Sequence, residues 1–397
     1  MTFKGFLFTK RHLMYRLTRQ MGIMIPASHF EQESSSLDCQ GVRLETLTAE
    51  EKRRIPALNP LHVFEPDTYT TLAQWWTCAQ NEPLYITGPA GSGKTTTAEQ
   101  FCARLHLPVV TVMGRARLDR RDLIGHWSLV NGNTVWVDGP FTYAWRHGCA
   151  VIVNEFSACP PDLWVSCNDL LEGAAIDIEA TNEHVTRHPR ACVIVTDNTR
   201  GAAEINEGYF GRSIQDRSVV DRFWHLSLLG LSEGRERDLL LAELPTELTR
   251  YFEPKLLARV SNLLVRAGAD SRRESAERKI GFETIDITLS HRTLKRLFRL
   301  LLINAMHPTV YSAEALTASI RCAYTDALDA TTHDAIHALL ATALGDVIAK
   351  LRQSYEKGIK AMLKDATRRE AEDAWRRAHG LFDYEERRLN EIEGGER

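Results

Sequence analysis

Short apolar runs alternate with longer amphipathic stretches between Leu84 and about Leu228. Each run is rich in β-forming residues and lacks the strict alternation of a half-exposed strand, so each is predicted to be a strand buried on both faces. Strands that alternate with crossover helices are typical of a parallel sheet in an α/β domain. The predicted strands are Leu84–Thr87, Val109–Val112, Ala150–Val153, Cys192–Thr196 and Trp224–Leu228.

The strand-like runs stop after Leu231, and apolar stripes at helical spacing replace them. The pattern therefore predicts a smaller all-helical domain behind the α/β domain, with the boundary near Gly230–Gly234. The expected organisation is an N-terminal extension over 1–60, the α/β domain over 61–230, the helical domain over 231–345 and a charged helical tail over 346–397. The two clearest stripes are Leu256, Leu257, Val260, Leu263 and Leu264, and Leu294, Leu297, Phe298, Leu301 and Leu302.

Composition narrows the possible partners. The formal net charge is -3 and the pI is about 6.5, which gives no general attraction to nucleic acid or to an anionic membrane. No basic-aromatic stripe is visible, so nucleic acid is disfavoured. No apolar run approaches the roughly 20 residues that span a bilayer, so we expect no membrane segment and a cytoplasmic location. The eight cysteines show no zinc-ligand spacing and are expected to be buried thiols of a reduced compartment.

One glycine-rich stretch carries the strongest chemical signal. Gly88-Pro-Ala-Gly-Ser-Gly-Lys94-Thr95 fits GxxxxGK[ST], with a predicted strand before it and an amphipathic helix after it. Glycines let backbone N–H groups turn towards a phosphate, Lys94 is expected to contact the β- and γ-phosphates, and Thr95 is expected to place its hydroxyl on Mg²⁺. The predicted ATP-binding residues are Gly88, Pro89, Ala90, Gly91, Ser92, Gly93, Lys94, Thr95 and Thr96.

The third predicted strand delivers two polar residues, Asn154 and Glu155, at its C-terminal end. This is the Walker B arrangement, in which an Asp usually supports the Mg²⁺ shell and the following Glu polarises the attacking water. Glu155 is expected to take the second role. Asn154 departs from the pattern, because an amide can orient a metal-bound water through its oxygen but supplies no charge.

Three further residues follow in the order that such a site needs. Asn198 ends the fourth strand, where an amide can reach the γ-phosphate or the water. Arg222, or alternatively Arg217, precedes the fifth strand, where ring ATPases project an arginine into the neighbouring subunit's site. Arg292 lies in Ser290–Thr293, with Ser290 as a predicted N-cap, and is expected to reach the nucleotide from the helical domain.

Two predicted β-hairpins complete the pattern, one around an Asn131-Gly132 turn and one across 174–186. With these insertions the chain resembles the MoxR group of AAA+ ATPases over about residues 20–345, and within it the CobS-type ATPase subunits of aerobic cobaltochelatase. The stretches that carry the resemblance are Met21–Pro26, Asp122–Gly125, Asn154–Trp164, Thr196–Gly201, Gly208–Gly211, Val220–Phe223 and Ser290–Thr293.

The resemblance implies an AAA+ domain with a helical lid, working as a hexameric ring that drives a partner with a von Willebrand A domain. In the cobaltochelatase setting, ring and partner promote cobalt insertion by a separate large subunit. This chain departs from the family's DEYD-like run at Asn154 and Ser157, so a different client is equally compatible. Two other hypotheses stay open: a nucleotide-binding scaffold with slow or no turnover, and a nucleic-acid-associated motor.

Overall fold

The computed structural model describes residues 23–32, 35, 37–79, 81–198, 213–278, 289–306, 315–324 and 330–378. The chain divides into two compact units between Arg235 and Glu236. No helix within these ranges is long and apolar enough to cross a membrane.

The first unit is built on a five-stranded parallel sheet, and its strands and helices alternate as predicted. Its strands are β1 (Ile23–Ile25), β2 (Cys39–Gly41), β3 (Leu84–Thr87), β4 (Val109–Met113), β5 (Gly125–Val130), β6 (Asn133–Asp138), β7 (Ala150–Asn154), β8 (Ile176–Ile178), β9 (Glu183–Val185), β10 (Cys192–Asp197) and β11 (Trp224–Ser227). Its helices are α1 (Ala49–Arg53), α2 (Pro66–Cys78), α3 (Lys94–Arg104), α4 (Arg120–Ile124), α5 (Pro140–His147), α6 (Pro161–Ser166), α7 (Asn168–Leu171) and α8 (Arg217–Val220).

The strand order in the sheet is β11-β3-β10-β7-β4, with every neighbouring pair parallel. The strands β3, β7 and β10 are buried along their whole length, as predicted. The prediction of burial on both faces is wrong for β4 and β11, where Thr111, Met113, His225 and Ser227 are exposed. These two strands form the sheet edges, so fewer neighbours cover them.

Residues of the predicted N-terminal extension join the core of this unit. The strands β1 and β2 pair antiparallel, and Phe30 and Cys39 are fully buried in the core cluster that also holds Phe101. The backbone N–H of Val42 donates to the carbonyl of Leu105 at the end of α3 (2.8 Å). This stretch therefore covers the helix that follows the glycine-rich loop.

Both predicted hairpins are present. Strands β5 and β6 pair across Asn131 and Gly132, whose φ angles of 51° and 81° are the left-handed values that such a turn requires. Strands β8 and β9 form the second hairpin.

The second unit is all helical in the part of the chain that the structure describes, which confirms the predicted fold class of a parallel-sheet domain followed by a helical one. Its core contains Leu294, Leu297, Phe298, Leu301 and Leu302, the stripe predicted from the sequence. Its helices are α9 (Glu233–Ala242), α10 (Thr246–Thr249), α11 (Pro254–Arg278), α12 (His291–Met306), α13 (Ala315–Ala323), α14 (Ala330–Leu344) and α15 (Val347–Ala378).

All eight cysteines are free thiols. The prediction that they are all buried is wrong for Cys78 and Cys322, which are exposed. Cys78 is the last residue of α2 and lies at the exposed end of that helix.

Candidate functional site

The glycine-rich loop lies where the sequence places it, between β3 and α3. Gly88, Gly91 and Gly93 have φ angles of 154°, 77° and 85°, a region that side-chain-bearing residues rarely adopt. A Cβ on Gly88 would lie 2.3 Å from the carbonyl oxygen of Leu228. The loop therefore needs glycine both for its backbone angles and for this close approach.

Lys94 is the first residue of α3 and is buried to 9% exposure. Its ammonium donates to the carbonyl oxygens of Gly88 (2.9 Å) and Pro89 (2.8 Å). The positive charge is thus held against the loop, at the N-terminus of the helix, where the helix dipole also favours an anion.

Thr95 and Asn154 meet at the carboxyl end of β7. The side-chain oxygen of Asn154 accepts hydrogen bonds from the hydroxyls of Thr95 (2.7 Å) and of Thr196 on the next strand (2.8 Å). Asn154 is buried, and the parallel register pairs it with Thr196 directly. The amide oxygen thus holds the hydroxyl of Thr95 at the strand end without supplying a negative charge.

Glu155 occupies a strained turn directly after β7. Its φ and ψ of 59° and 50° are left-handed, which costs a non-glycine residue on the order of 1 kcal/mol. Gly114 fits beneath the turn: its N–H donates to the carbonyl of Asn154 (2.8 Å), and a Cβ there would lie 2.2 Å from the carbonyl oxygen of Glu155. The Glu155 carboxylate accepts a 3.4 Å hydrogen bond from the side-chain amide of Asn198. The structure therefore brings the predicted catalytic pair together.

The turn Phe156–Ala158 that follows is a 3-10 turn bonded on both flanks. The side chain of Asp197 accepts hydrogen bonds from Ser157 on one flank. On the other flank the carbonyl of Ser157 accepts from the N–H of Ser213 (2.8 Å), and Gln215 donates to the carbonyl of Cys159 (3.3 Å). Sequence reasoning assigned no role to Asp197, although a carboxylate inside an apolar strand was a visible signal.

The two candidate arginines differ in their surroundings. Arg222 forms an ion pair with Glu172 of its own chain (2.7 Å) and donates to the carbonyl of Ser218. Arg217 begins α8 and is exposed, and Asp216 caps that short helix.

Arg292 belongs to the second unit and is exposed on the first turn of α12. Ser290 caps this helix as predicted, because its hydroxyl accepts from the N–H of Thr293 (3.3 Å). The neighbouring His291 lies between Glu236 (3.4 Å) and Glu243 (3.0 Å). The segments Met21–Gly22, 199–201 and Gly208–Gly211, which contribute to the resemblance, lie outside the described residues.

The residues around the loop fit a nucleotide with a divalent cation. The hydroxyl of Ser92 is buried and has no hydrogen-bond partner within the described ranges, so it can serve a ligand at the loop. The ammonium of Lys94 and the backbone amides at the start of α3 can bind phosphate. The hydroxyl oxygen of Thr95 and the amide oxygen of Asn154 are hard oxygen ligands of the kind that Mg²⁺ prefers. The predicted ATP-binding residues, including Ala90 and Thr96, all lie in the loop after β3 or at the start of α3.

Comparison with known proteins gives consistent matches. Residues 83–223 match the family model of an AAA domain (dynein-related subfamily). The chain is similar to aerobic cobaltochelatase subunit CobS of Sinorhizobium sp. (30% identical over 195 residues, 48% of this chain and 58% of the relative). It is also similar to protein NorQ of Paracoccus denitrificans (34% over 121 residues, 30% and 45%) and to the gas vesicle ATPase GvpN of Haloferax mediterranei (28% over 183 residues, 40% and 51%). The matches span about half the length of these relatives.

Proposed function

We propose that this chain is a Mg²⁺-dependent ATPase of the MoxR group of AAA+ ATPases. Its residues 83–223 match the model of an AAA domain (dynein-related subfamily), and it is similar to aerobic cobaltochelatase subunit CobS and to protein NorQ. In this proposal it works in the cytoplasm as a ring and couples ATP hydrolysis to remodelling or metal loading of a partner protein. One observation carries the proposal. The same carboxyl edge of the parallel sheet holds Lys94, Thr95, Asn154, Glu155 and Asn198.

Each of these side chains has a proposed role that follows from its chemistry. Lys94 and the amides of residues 88–96 hold the phosphates, while Thr95 and Asn154 support Mg²⁺. Bound Mg²⁺–ATP supplies the phosphoanhydride bond and the neutralisation of its charge. Glu155 accepts a proton from the attacking water, and Asn198 keeps the Glu155 carboxylate oriented. Arg292 is proposed to reach the nucleotide from the helical unit.

The ring is proposed because an arginine in the segment before β11 is expected, from the resemblance to ring ATPases, to act on the neighbouring subunit's site. We retain Arg222 as the first choice for the residue that reaches a neighbouring subunit's site and Arg217 as the alternative. Arg222 would have to leave Glu172 to do so, at small cost, because exposed ion pairs are worth roughly 0–1 kcal/mol. A hexamer is the proposed size.

The partner is proposed from similarity. One relative is a subunit of aerobic cobaltochelatase, so metal loading of a partner is a reasonable class of task. A partner with a von Willebrand A domain is proposed from the same resemblance. No membrane or nucleic-acid partner is proposed.

A second candidate function is a nucleotide-binding scaffold with slow or no turnover. It is favoured by Asn154, which supplies no charge and whose oxygen already accepts from two hydroxyls. Steady-state ATP turnover separates the two candidates, since the scaffold predicts none measurable in the wild type.

Lys94→Ala tests the nucleotide site. We expect it to weaken ATP binding and turnover sharply, since the buried cation at the phosphates is lost. The matched control is Lys52→Ala, which removes an exposed lysine on α1 and should leave both unchanged. ATP turnover by Lys94→Ala at the wild-type rate would show that the site is assigned wrongly.

Light scattering with a non-hydrolysable ATP analogue tests the ring, with an expected mass near six times the 44.9 kDa chain. Mixing Arg222→Ala with Glu155→Gln subunits should restore some activity, because some interfaces then combine an intact arginine with an intact Glu155. Confirmed mixed rings without any rescue would show that Arg222 does not act across an interface. A monomer under all nucleotide conditions would contradict the ring.

A further inference from the structure

Asp197 is the last residue of β10 and is almost completely buried, at 1% exposure. A buried carboxylate is costly unless hydrogen bonds replace its water. Four donors surround this one: the hydroxyl of Tyr85 (3.0 Å), the N–H of Ser157 (3.2 Å), the hydroxyl of Ser157 (2.8 Å) and the N–H of Asn198 (2.8 Å). The carboxylate is therefore built into this position by several separate elements.

These donors tie together both members of the candidate catalytic pair. Ser157 lies two residues after Glu155, in the turn that fixes the left-handed Glu155 backbone. Asn198 follows Asp197 directly and donates from its side chain to the Glu155 carboxylate (3.4 Å). One carboxylate thus fastens the turn of Glu155 to the backbone of Asn198.

The packing beneath Asp197 leaves the carboxylate little freedom. Tyr85 is fully buried, and its ring contacts those of Phe156 (5.5 Å between centroids) and Phe223 (5.4 Å). Its hydroxyl is therefore presented to Asp197 from a fixed direction. A rigid support of this kind is what a catalytic pair needs, because a misplacement of about 1 Å can cost roughly 100-fold in rate.

We propose that Asp197 is a positioning residue for ATP hydrolysis, which holds Glu155 through Ser157 and holds Asn198 through its backbone N–H. This rests on the proposed ATPase function. Asp197 itself touches neither nucleotide nor water in this role. The inference predicts a loss of turnover without a loss of nucleotide binding. The four contacts described above join Asp197 to Tyr85, Ser157 and Asn198, not to Lys94 or the loop amides that hold the phosphates.

Asp197→Asn is a sharp perturbation even though the shape is kept. Each carboxylate oxygen accepts one backbone N–H, from Ser157 on one side and from Asn198 on the other. Whichever way the new amide points, its NH₂ group faces one of these N–H groups, and a backbone donor cannot reverse its direction. The substitution must therefore release either the Glu155 turn or Asn198.

The experiment measures kcat and the dissociation constant of a fluorescent ATP analogue for Asp197→Asn, Ser157→Ala and Tyr85→Phe in the full chain. We expect kcat to fall about 10–100-fold for Asp197→Asn, as for other outer supports of a catalytic centre, and less for the other two. The dissociation constant should stay within about threefold of wild type. If Asp197→Asn does not fold, Ser157→Ala still tests the proposal, because it removes the hydroxyl hydrogen bond between Ser157 and Asp197.

The matched control is Thr142→Val, which removes another fully buried hydroxyl hydrogen bond, to the carbonyl of Ile124 (2.6 Å), away from the site. It should lower the melting temperature about as much as Ser157→Ala while kcat stays within about twofold. If Asp197→Asn and Ser157→Ala lower the melting temperature but keep kcat within about twofold of wild type, as expected for Thr142→Val, Asp197 is merely structural. A wild type without turnover would instead refute the proposed ATPase function.

Discussion

Asn154→Asp restores the charge that the Walker B strand lacks, and its effect can be worked from two hydrogen bonds. The oxygen of Asn154 accepts from Thr95 (2.7 Å) and Thr196 (2.8 Å). Bonds to a charged acceptor are worth about 1 kcal/mol more than neutral ones, so the two gain about 2 kcal/mol together. Burying a carboxylate costs several kcal/mol. Without metal, Asn154→Asp should therefore lower stability by on the order of 2 kcal/mol.

Mg²⁺ should reverse this cost. An outer-shell carboxylate tunes metal affinity by about 10–100-fold, which is about 1.4–2.7 kcal/mol at 1.36 kcal/mol per tenfold. We therefore expect the Mg²⁺ concentration that half-saturates ATP turnover to fall about 10–100-fold in Asn154→Asp. The melting temperature without metal should fall in the same variant.

The assay is ATP turnover titrated with Mg²⁺, beside thermal unfolding in a chelator. Asn133→Asp is the matched control, because it adds the same charge on the exposed hairpin strand β6. The reasoning is refuted if the half-saturating Mg²⁺ concentration stays within twofold of wild type and the melting temperature does not change. Asn154 would then lie outside the surroundings of the metal.

Three further predictions follow from other contacts of the described chain. Glu155→Gln should abolish ATP hydrolysis and leave nucleotide binding intact in a binding titration, because only the proton acceptor is lost. Gly114→Ala should lower the unfolding free energy by about 1–3 kcal/mol in denaturant titrations, since its Cβ would lie 2.2 Å from the carbonyl oxygen of Glu155. Burial lowers the pKa of His291, but Glu236 and Glu243 outweigh it and raise that pKa to about 8. Because this lies above the unfolded value of about 6.5, the stabilisation of at most about 2 kcal/mol is complete below pH 6.5 and is lost as pH rises through 8.

Matched variants define the outcomes that would contradict these predictions. Gly234→Ala adds a Cβ that meets nothing within 4 Å, so a similar loss in Gly234→Ala and Gly114→Ala would remove the steric argument. His291→Gln should flatten the pH dependence of unfolding, and an unchanged pH dependence in this variant would contradict the role given to His291. Normal ATP hydrolysis by Glu155→Gln would exclude Glu155 as the proton acceptor.

The fold was largely predictable because buried strands leave a direct record in the sequence. The apolar runs gave each strand of the sheet to within about one residue, and the Asn131-Gly132 pair gave the hairpin turn. The half-exposed edges β4 and β11 were not predicted, since a run of apolar letters does not show which strand lies at the rim. The core role of Phe30 was also missed, because a 3-10 turn carries no clear periodicity.

The candidate site was predictable where its residues follow one another or end a strand. Lys94, Thr95 and Glu155 belong to local motifs whose order along the chain is itself informative. Asp197 meets Ser157 across 40 positions and Arg222 meets Glu172 across 50. Such pairs depend on strand order and loop path, which a single sequence does not contain.

The 3-10 turn Phe156–Ala158 joins two regions by hydrogen bonds on opposite flanks. Asp197 holds one flank, beside Asn198, and Ser213 holds the other, four residues before Arg217. Thermodynamic linkage requires that influence between two such regions is mutual. If a ligand at the nucleotide edge changes the free energy of a contact on the arginine segment through this turn, that contact changes the affinity at the nucleotide edge by the same free energy. Any coupling through this turn therefore acts with equal free energy in both directions.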